Sequence, residues 1–259
     1  MTTSYWPSGR AGAISLSFDD GLPSQRAVAL PAMNARGLRG TFYVNPIGSE
    51  DDAALPHTWR EGLEAWRPAR AAGHELANHS LAHACSLNIE MTWGMRANLL
   101  DWSLADVERD LLEAQRRLAD VFPEQGPTSF AYPCYESTVG RGADRASYVP
   151  VVARHAVAGR ARGELRGELA NDPRYCDPCH LSSWAVERQA GAFMIGLAEQ
   201  SAALGRWGIF TFHGIHEGHL PVGDTDFVEL LDHLVRRQGD FWVAPVAEVA
   251  AYVRIHGAD

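Results

Sequence analysis

The run Ala13-Ile14-Ser15-Leu16-Ser17-Phe18 stops abruptly at Asp19-Asp20-Gly21, and how this junction is read decides the fold. An apolar, β-rich hexapeptide closed by two acids and a glycine predicts a buried strand that runs into a tight turn. Comparable runs recur at residues 40–45, 74–78, 128–133, 155–160, 207–212 and 241–244, which makes seven candidate strands. Amphipathic stretches separate them. The clearest covers residues 104–122, where Ser103 followed by Asp106 reads as a capping box and Leu111, Leu112, Leu118 and Val121 can share one face. Further helices are predicted over residues 24–36, 58–72, 184–204, 226–238 and 246–256, while residues 140–177, rich in Gly and Arg, read as loop around the fifth strand. Strand and helix alternating in this way predict an α/β fold with parallel pairing and right-handed crossovers. Periodicity alone leaves a closed barrel and an open, doubly wound sheet as alternatives.

Composition narrows the classes. The 259 residues are 46% hydrophobic and 21% charged, without a linker, internal repeat or low-complexity tract, so one globular domain over residues 1–259 is the simpler reading. A net charge of −9 provides no electrostatic footprint for nucleic acid or an anionic membrane. No stretch approaches the roughly 20 apolar residues of a membrane span, and Met1 to Arg10 has no charged-then-apolar leader. A cytoplasmic protein is therefore expected, or a mature form whose signal has been removed. Four cysteines are too few to staple a chain that builds its own core.

Ligand sites of parallel α/β folds lie at the carboxyl ends of the strands, and the unusual residues collect there. The tails are Ser17-Phe18-Asp19-Asp20-Gly21, Asn78-His79-Ser80-Leu81-Ala82-His83, Phe130-Ala131-Tyr132-Pro133-Cys134 and Phe212-His213-Gly214. Adjacent carboxylates raise one another's pKa unless a cation lies between them; a metal ion would settle the pair, and a plain polar turn is the alternative. His79 and His83, four apart, would project from one face of a helical turn and could reach one ion, or could be two satisfied core histidines. One carboxylate with two imidazoles leaves positions open for water and substrate. The second Asp is then free to act as a base, with His213 as a further proton-transfer group.

Together with Trp6-Pro7-Ser8-Gly9-Arg10, Gly40-Thr41-Phe42-Tyr43-Val44 and Gly73-His74-Glu75-Leu76, these tails resemble the ordered motifs of the polysaccharide deacetylases, the nodulation-type deacetylase domain of carbohydrate esterase family 4, over about residues 6–250. The resemblance implies a distorted seven-stranded (β/α) barrel and metal-dependent hydrolysis of N-acetyl, sometimes O-acetyl, groups on sugars. By position it implies Asp19 as general base and His213 as general acid, with Asp20, His79 and His83 holding one divalent ion, usually zinc. The backbone N–H of Cys134 would be the oxyanion donor. The chain departs from the family at Ala131, where an arginine is usual, and at Cys134, where a tyrosine is usual. Arg160, at the end of the fifth strand, could reach into the mouth and replace that arginine as the partner of the base, or could be a surface arginine. Tyr132 is a candidate for the substrate wall or its backing, Trp184 for the wall itself. Asp172 or Asp177 could orient the catalytic histidine, or both could be solvated loop acids.

An acetylated carbohydrate is the expected substrate, with no nucleic-acid or membrane partner. O-acetyl ester cleavage and cyclic-amide opening are the alternative hydrolytic readings; a catalytically silent carbohydrate-binding barrel and a non-haem iron site are those of other classes. Cys176-Asp177-Pro178-Cys179-His180 matches a c-type haem attachment pattern, yet without a second Cys pair it reads as a loop staple or a chance pair. His213, His216 and His219 step at three, and only the first is read as functional. Trp59, Trp66, Trp93 and Trp102 read as core, with sugar stacking the alternative for any that are exposed.

Overall fold

The structure, a computed structural model, describes residues 4–86, 97–163, 170–218 and 220–257; Trp93 and His219 lie outside them. Seven parallel strands form a ring in chain order: β1 (Gly12–Phe18), β2 (Thr41–Val44), β3 (Glu75–Asn78), β4 (Phe130–Ala131), β5 (Gly159–Arg160), β6 (Trp184–Ala185) and β7 (Trp207–Phe212). The seam between β5 and β6 is drawn together by backbone bonds, in which the N–H groups of Ala161 and Gly163 donate to the carbonyls of Leu181 and Ser183. An eighth strand, β8 (Phe241–Val243), pairs with residues 12–14 of β1, below the point where β2 joins it at Ser17 and Phe18. The result is a distorted (β/α) barrel.

Seven strands were expected and seven form the ring, but the membership differs. The sixth, Trp184–Ala185, lies at the start of the stretch predicted as helix, whereas 241–243 stands outside the ring. Two residues are too short to show a period, and α6 (Gly191–Ala203) begins only after Ala190. The predicted helix 24–36 is a widened turn, Gln25–Ala29, leading into α1 (Leu30–Asn34). Residues 58–72 divide into α2 (Trp59–Glu64) and α3 (Arg67–Ala71), because Pro68 has no N–H to donate back to Glu64.

The helix α4 (Leu104–Val121) starts at the expected capping box of Ser103 and Asp106. Its buried face is Val107, Leu111, Ala114, Leu118 and Val121, while Leu112 is exposed. Residues 149–155, expected as loop and strand, form α5 (Val149–His155). The last helices, α7 (Asp224–Arg236) and α8 (Val246–His256), lie close to expectation.

Alternation along each strand sorts the side chains. Ile14, Leu16, Phe18, Phe42, Phe210 and Phe212 belong to the apolar layer with α1, α6 and α7. Ser15, Ser17, Thr41 and Thr211 have the opposite parity, and all four are fully buried. Their polar atoms are paired: Ser15 accepts from the Trp207 indole N–H and donates to the Ala244 carbonyl. Glu75 accepts from the Thr41 hydroxyl, from the N–H and hydroxyl of Ser129, and from the Ala247 N–H.

His74, next to β3, is buried between Gly40, whose N–H donates to Nδ1, and Asn34, whose Oδ1 lies 2.9 Å from Nε2. Burial, reinforced by the nearby Arg39, pushes its pKa down to about 4, since a proton on Nδ1 would face the Gly40 N–H. The unfolded chain takes up that proton near pH 6.5 and the folded one only near pH 4. Stability is therefore complete above about pH 6.5 and falls through the window down to about pH 4, by up to roughly 3 kcal/mol. Denaturant titrations across this range should show the loss, and His74→Gln should flatten it.

Candidate active site

Strand parity carries inward-facing positions into the mouth of the barrel. Asp19 continues the inward set of β1, His79 that of β3, Arg160 that of β5 and His213 that of β7. Asp20 breaks the alternation with φ of 72°, a left-handed conformation that Asp tolerates better than most residues. The two neighbouring carboxylates therefore serve different partners.

Asp20 Oδ1 lies 3.4 Å from His79 Nε2 and 3.3 Å from His83 Nε2, and these donor atoms all lie within 4.8 Å of one another. His79 Nδ1 is 3.0 Å from the Ala131 carbonyl oxygen. A carbonyl can only accept, so Nδ1 donates to it and Nε2 is the ring atom left toward Asp20. Asp20 with the two Nε2 atoms makes a set of one carboxylate and two imidazoles, which suits zinc or a similar first-row divalent ion.

The expected helical turn is not what brings the histidines together. Ser80 and His83 both have positive φ, and the turn is tied down from several sides. Asn45 donates to the carbonyls of His79 and Ser80, while Asp110 of α4 accepts from the N–H groups of Leu81 and Ala82. Burial raises the pKa of the Asp110 carboxyl despite those bonds.

Asp19, 2% exposed, accepts at Oδ1 from Nη2 of the fully buried Arg160. The guanidinium lies between two rings, 5.1 Å from the Tyr43 centroid and 5.4 Å from that of Tyr135. Oδ2 of Asp19 faces His79 Nε2 at 3.9 Å. His213 approaches from the other side, with Nε2 3.9 Å from Asp20 Oδ2. Gln25 ties the tails of β1 and β7 by donating to the carbonyls of Asp19 and His213.

Cys134, with φ of 51°, forms a disulfide with Cys85, two residues beyond His83. Ser86 adds a second tie, its N–H and hydroxyl donating to Glu136. The other cysteines, Cys176 and Cys179, are free thiols rather than a staple.

Other candidates are displaced. Trp184 has outward parity on β6 and packs on Phe210 and Gly208 in the core, so it forms no wall of the mouth. Tyr132 also faces outward, its hydroxyl donating to the Cys179 carbonyl. Asp172 pairs with Arg174 beside Asn171, which bridges to Trp207 at the opposite end of β7 from His213, and Asp177 accepts from the Cys179 N–H. Two residues at the mouth went unread. Tyr135 lies one place beyond the usual tyrosine position, with a pKa raised chiefly by burial. Glu187, of inward parity after β6, was hidden by reading that strand as helix.

The family profile described as polysaccharide deacetylase matches residues 8–148, more than half of the chain. No curated protein sequence matches it. Among solved structures, a candidate polysaccharide deacetylase from Mycobacterium smegmatis aligns with a TM-score of 0.64 at 15% identity, over 98% of this chain and 94% of its own. A family 4 carbohydrate esterase from Streptomyces lividans, solved with acetate, gives 0.51 at 15% over 88% and 90%. A family 4 acetyl xylan esterase from Clostridium thermocellum, solved with a cobalt ion, gives 0.53 at 14% over 95% and 93%. At such identities these likenesses speak for the fold.

Isothermal titration with zinc should give one equivalent for the wild type, a loss of at least about a hundredfold in affinity for His79→Ala and Asp20→Asn, and a change within about tenfold for Asp19→Asn. The Cys85–Cys134 bridge spans a sequence separation of 49, worth about 4 kcal/mol in chain-entropy terms. Calorimetry of the reduced and alkylated protein should record a correspondingly lower Tm.

Proposed function

The chain belongs to the polysaccharide deacetylase family, and from that membership and the site geometry we propose that it is a metal-dependent hydrolase removing N-acetyl groups from an amino sugar, oligosaccharide or polysaccharide. One observation carries the reading. Asp19 and Asp20, adjacent in sequence, have separate commitments, one to a buried guanidinium and the other to two imidazoles.

Asp20, His79 and His83 would hold a divalent ion, zinc by the chemistry of the donors. When bound, such an ion polarises the acyl carbonyl and lowers the pKa of water. The remaining work falls to this chain's own groups. Arg160 holds Oδ1 of Asp19 and leaves Oδ2 on the metal side, where it takes the proton of the attacking water. The backbone N–H of Cys134 donates to the oxygen that gains charge in the tetrahedral transition state, and its disulfide to Cys85 fixes it relative to His83. His213, which follows β7 next to Asp19 on the paired β1, protonates the departing amine, so acetamide and water become acetate and free amine. The disulfide also supports placement in an oxidising compartment.

Acetate release from a panel of N- and O-acetylated sugars, with and without chelator, tests the proposal. Activity should vanish on metal removal and return with zinc; full activity in the metal-free protein would sink it. Asp19→Asn should keep its metal while losing about 10²–10⁴ in kcat. Arg160→Gln should keep its zinc and lower kcat, because Oδ1 of the base loses the donor that orients it. An unchanged kcat would assign Arg160 a packing role only.

A further inference from the structure

A cavity of about 260 Å³ opens against Asp20 and Gly21, on the side of the mouth bounded by residues 45–58 and α2. Of the residues assigned to the chemistry, only Asp20 lines it. Ile47, Leu55, Trp59 and Trp66 form much of its wall, with Arg26 and His57 among its polar residues. The cavity is a built feature. Arg117, on α4, donates to both carboxylate oxygens of Asp51 and to the Pro46 carbonyl, and its guanidinium lies 5.3 Å from the Trp59 ring centroid. Gly48 permits the close approach to α2, since a Cβ there would run into the Trp59 backbone nitrogen, and His57 packs on Gly62.

The charges around this space are unevenly committed. Glu61 accepts from the N–H and hydroxyl of Thr58 in the capping box of α2, and Asp20 faces the imidazoles. Arg26 pairs with no carboxylate among the described residues; its guanidinium lies over the Trp66 ring at 5.6 Å. A guanidinium placed over an indole keeps its in-plane N–H groups for an acceptor. Trp59 and Trp66, with Ile47 and Leu55, supply apolar wall against which the carbon skeleton of a sugar ring can pack. The volume is below the roughly 300–1,000 Å³ of drug-sized sites, which suits one ring with a small substituent.

Taking the deacetylase reading as premise, we infer that this cavity is a substrate subsite for a sugar ring bearing a carboxylate, which Arg26 recognises. The substrate class is then an acetylated sugar acid rather than a neutral glycan.

The test uses a matched pair, 2-acetamido-2-deoxyglucuronic acid and N-acetylglucosamine, which differ only at C6. Binding is measured calorimetrically on zinc-loaded Asp19→Asn protein, and acetate release on zinc-loaded wild type. The acid should bind about tenfold more tightly at low salt, and the ratio should shrink as salt is added. Adding Arg26→Gln should bring the ratio close to one, Arg26→Lys should retain part of it, and Leu55→Phe, which narrows the cavity, should weaken both ligands. Equal affinity for the two sugars, a preference that survives Arg26→Gln, or no binding of the acid overturns the subsite. Arg26-dependent binding with no acetate released from either sugar upholds the subsite and overturns the deacetylase reading. Acetate released from both at equal KM does the reverse.

Discussion

Side-chain alternation inside a narrow ring of parallel strands is the constraint on which this molecule depends. The interior has little room, and Ser15, Ser17, Thr41 and Thr211 lie there fully buried. Followed to the carboxyl ends, the same parity delivers Asp19, His79, Arg160 and His213 to a common space. Asp19 and Arg160 are both withdrawn from water. Removing either partner alone would leave a buried charge uncompensated, which costs far more than the pair contributes.

Parity by itself would turn Asp20 away from the mouth, and a local departure from ordinary backbone geometry prevents this. Among the described residues, every non-glycine position with positive φ except Ser8 follows the carboxyl end of a strand. Each such residue costs of order 1 kcal/mol or more and persists only where its surroundings over-determine it. Here the surroundings do so. Asn45, Asp110, Gln25 and the Cys85–Cys134 disulfide each tie a mouth loop to another element or to a neighbouring loop. A rigid mouth holds donors in place before any ligand arrives, so little reorganisation is needed when charge develops.

The strand tails were legible because strong local signals mark them. An acidic pair after an apolar run, a His-x-x-x-His segment and a lone His after Phe212 stand out against any background. Weak signals failed where elements are short or where contacts come from distant parts of the chain. Two-residue β6 has no measurable period, so Glu187 stayed hidden and Trp184 was misplaced at the mouth. The pairing of Cys85 with Cys134 joins residues whose proximity follows from β3 and β4 lying side by side.

From the amino-acid order alone came the α/β alternation, six of the seven ring strands and the chemical types gathered at the ends of four of them, because these depend on near neighbours. The tertiary structure decided which strands close the ring, that Arg160 rather than a residue near Pro133 meets Asp19, and that the histidines converge through a strained turn rather than a helix. Those outcomes depend on distances between residues far apart in the chain, and such distances exist only after the strands have paired and the core has formed around them.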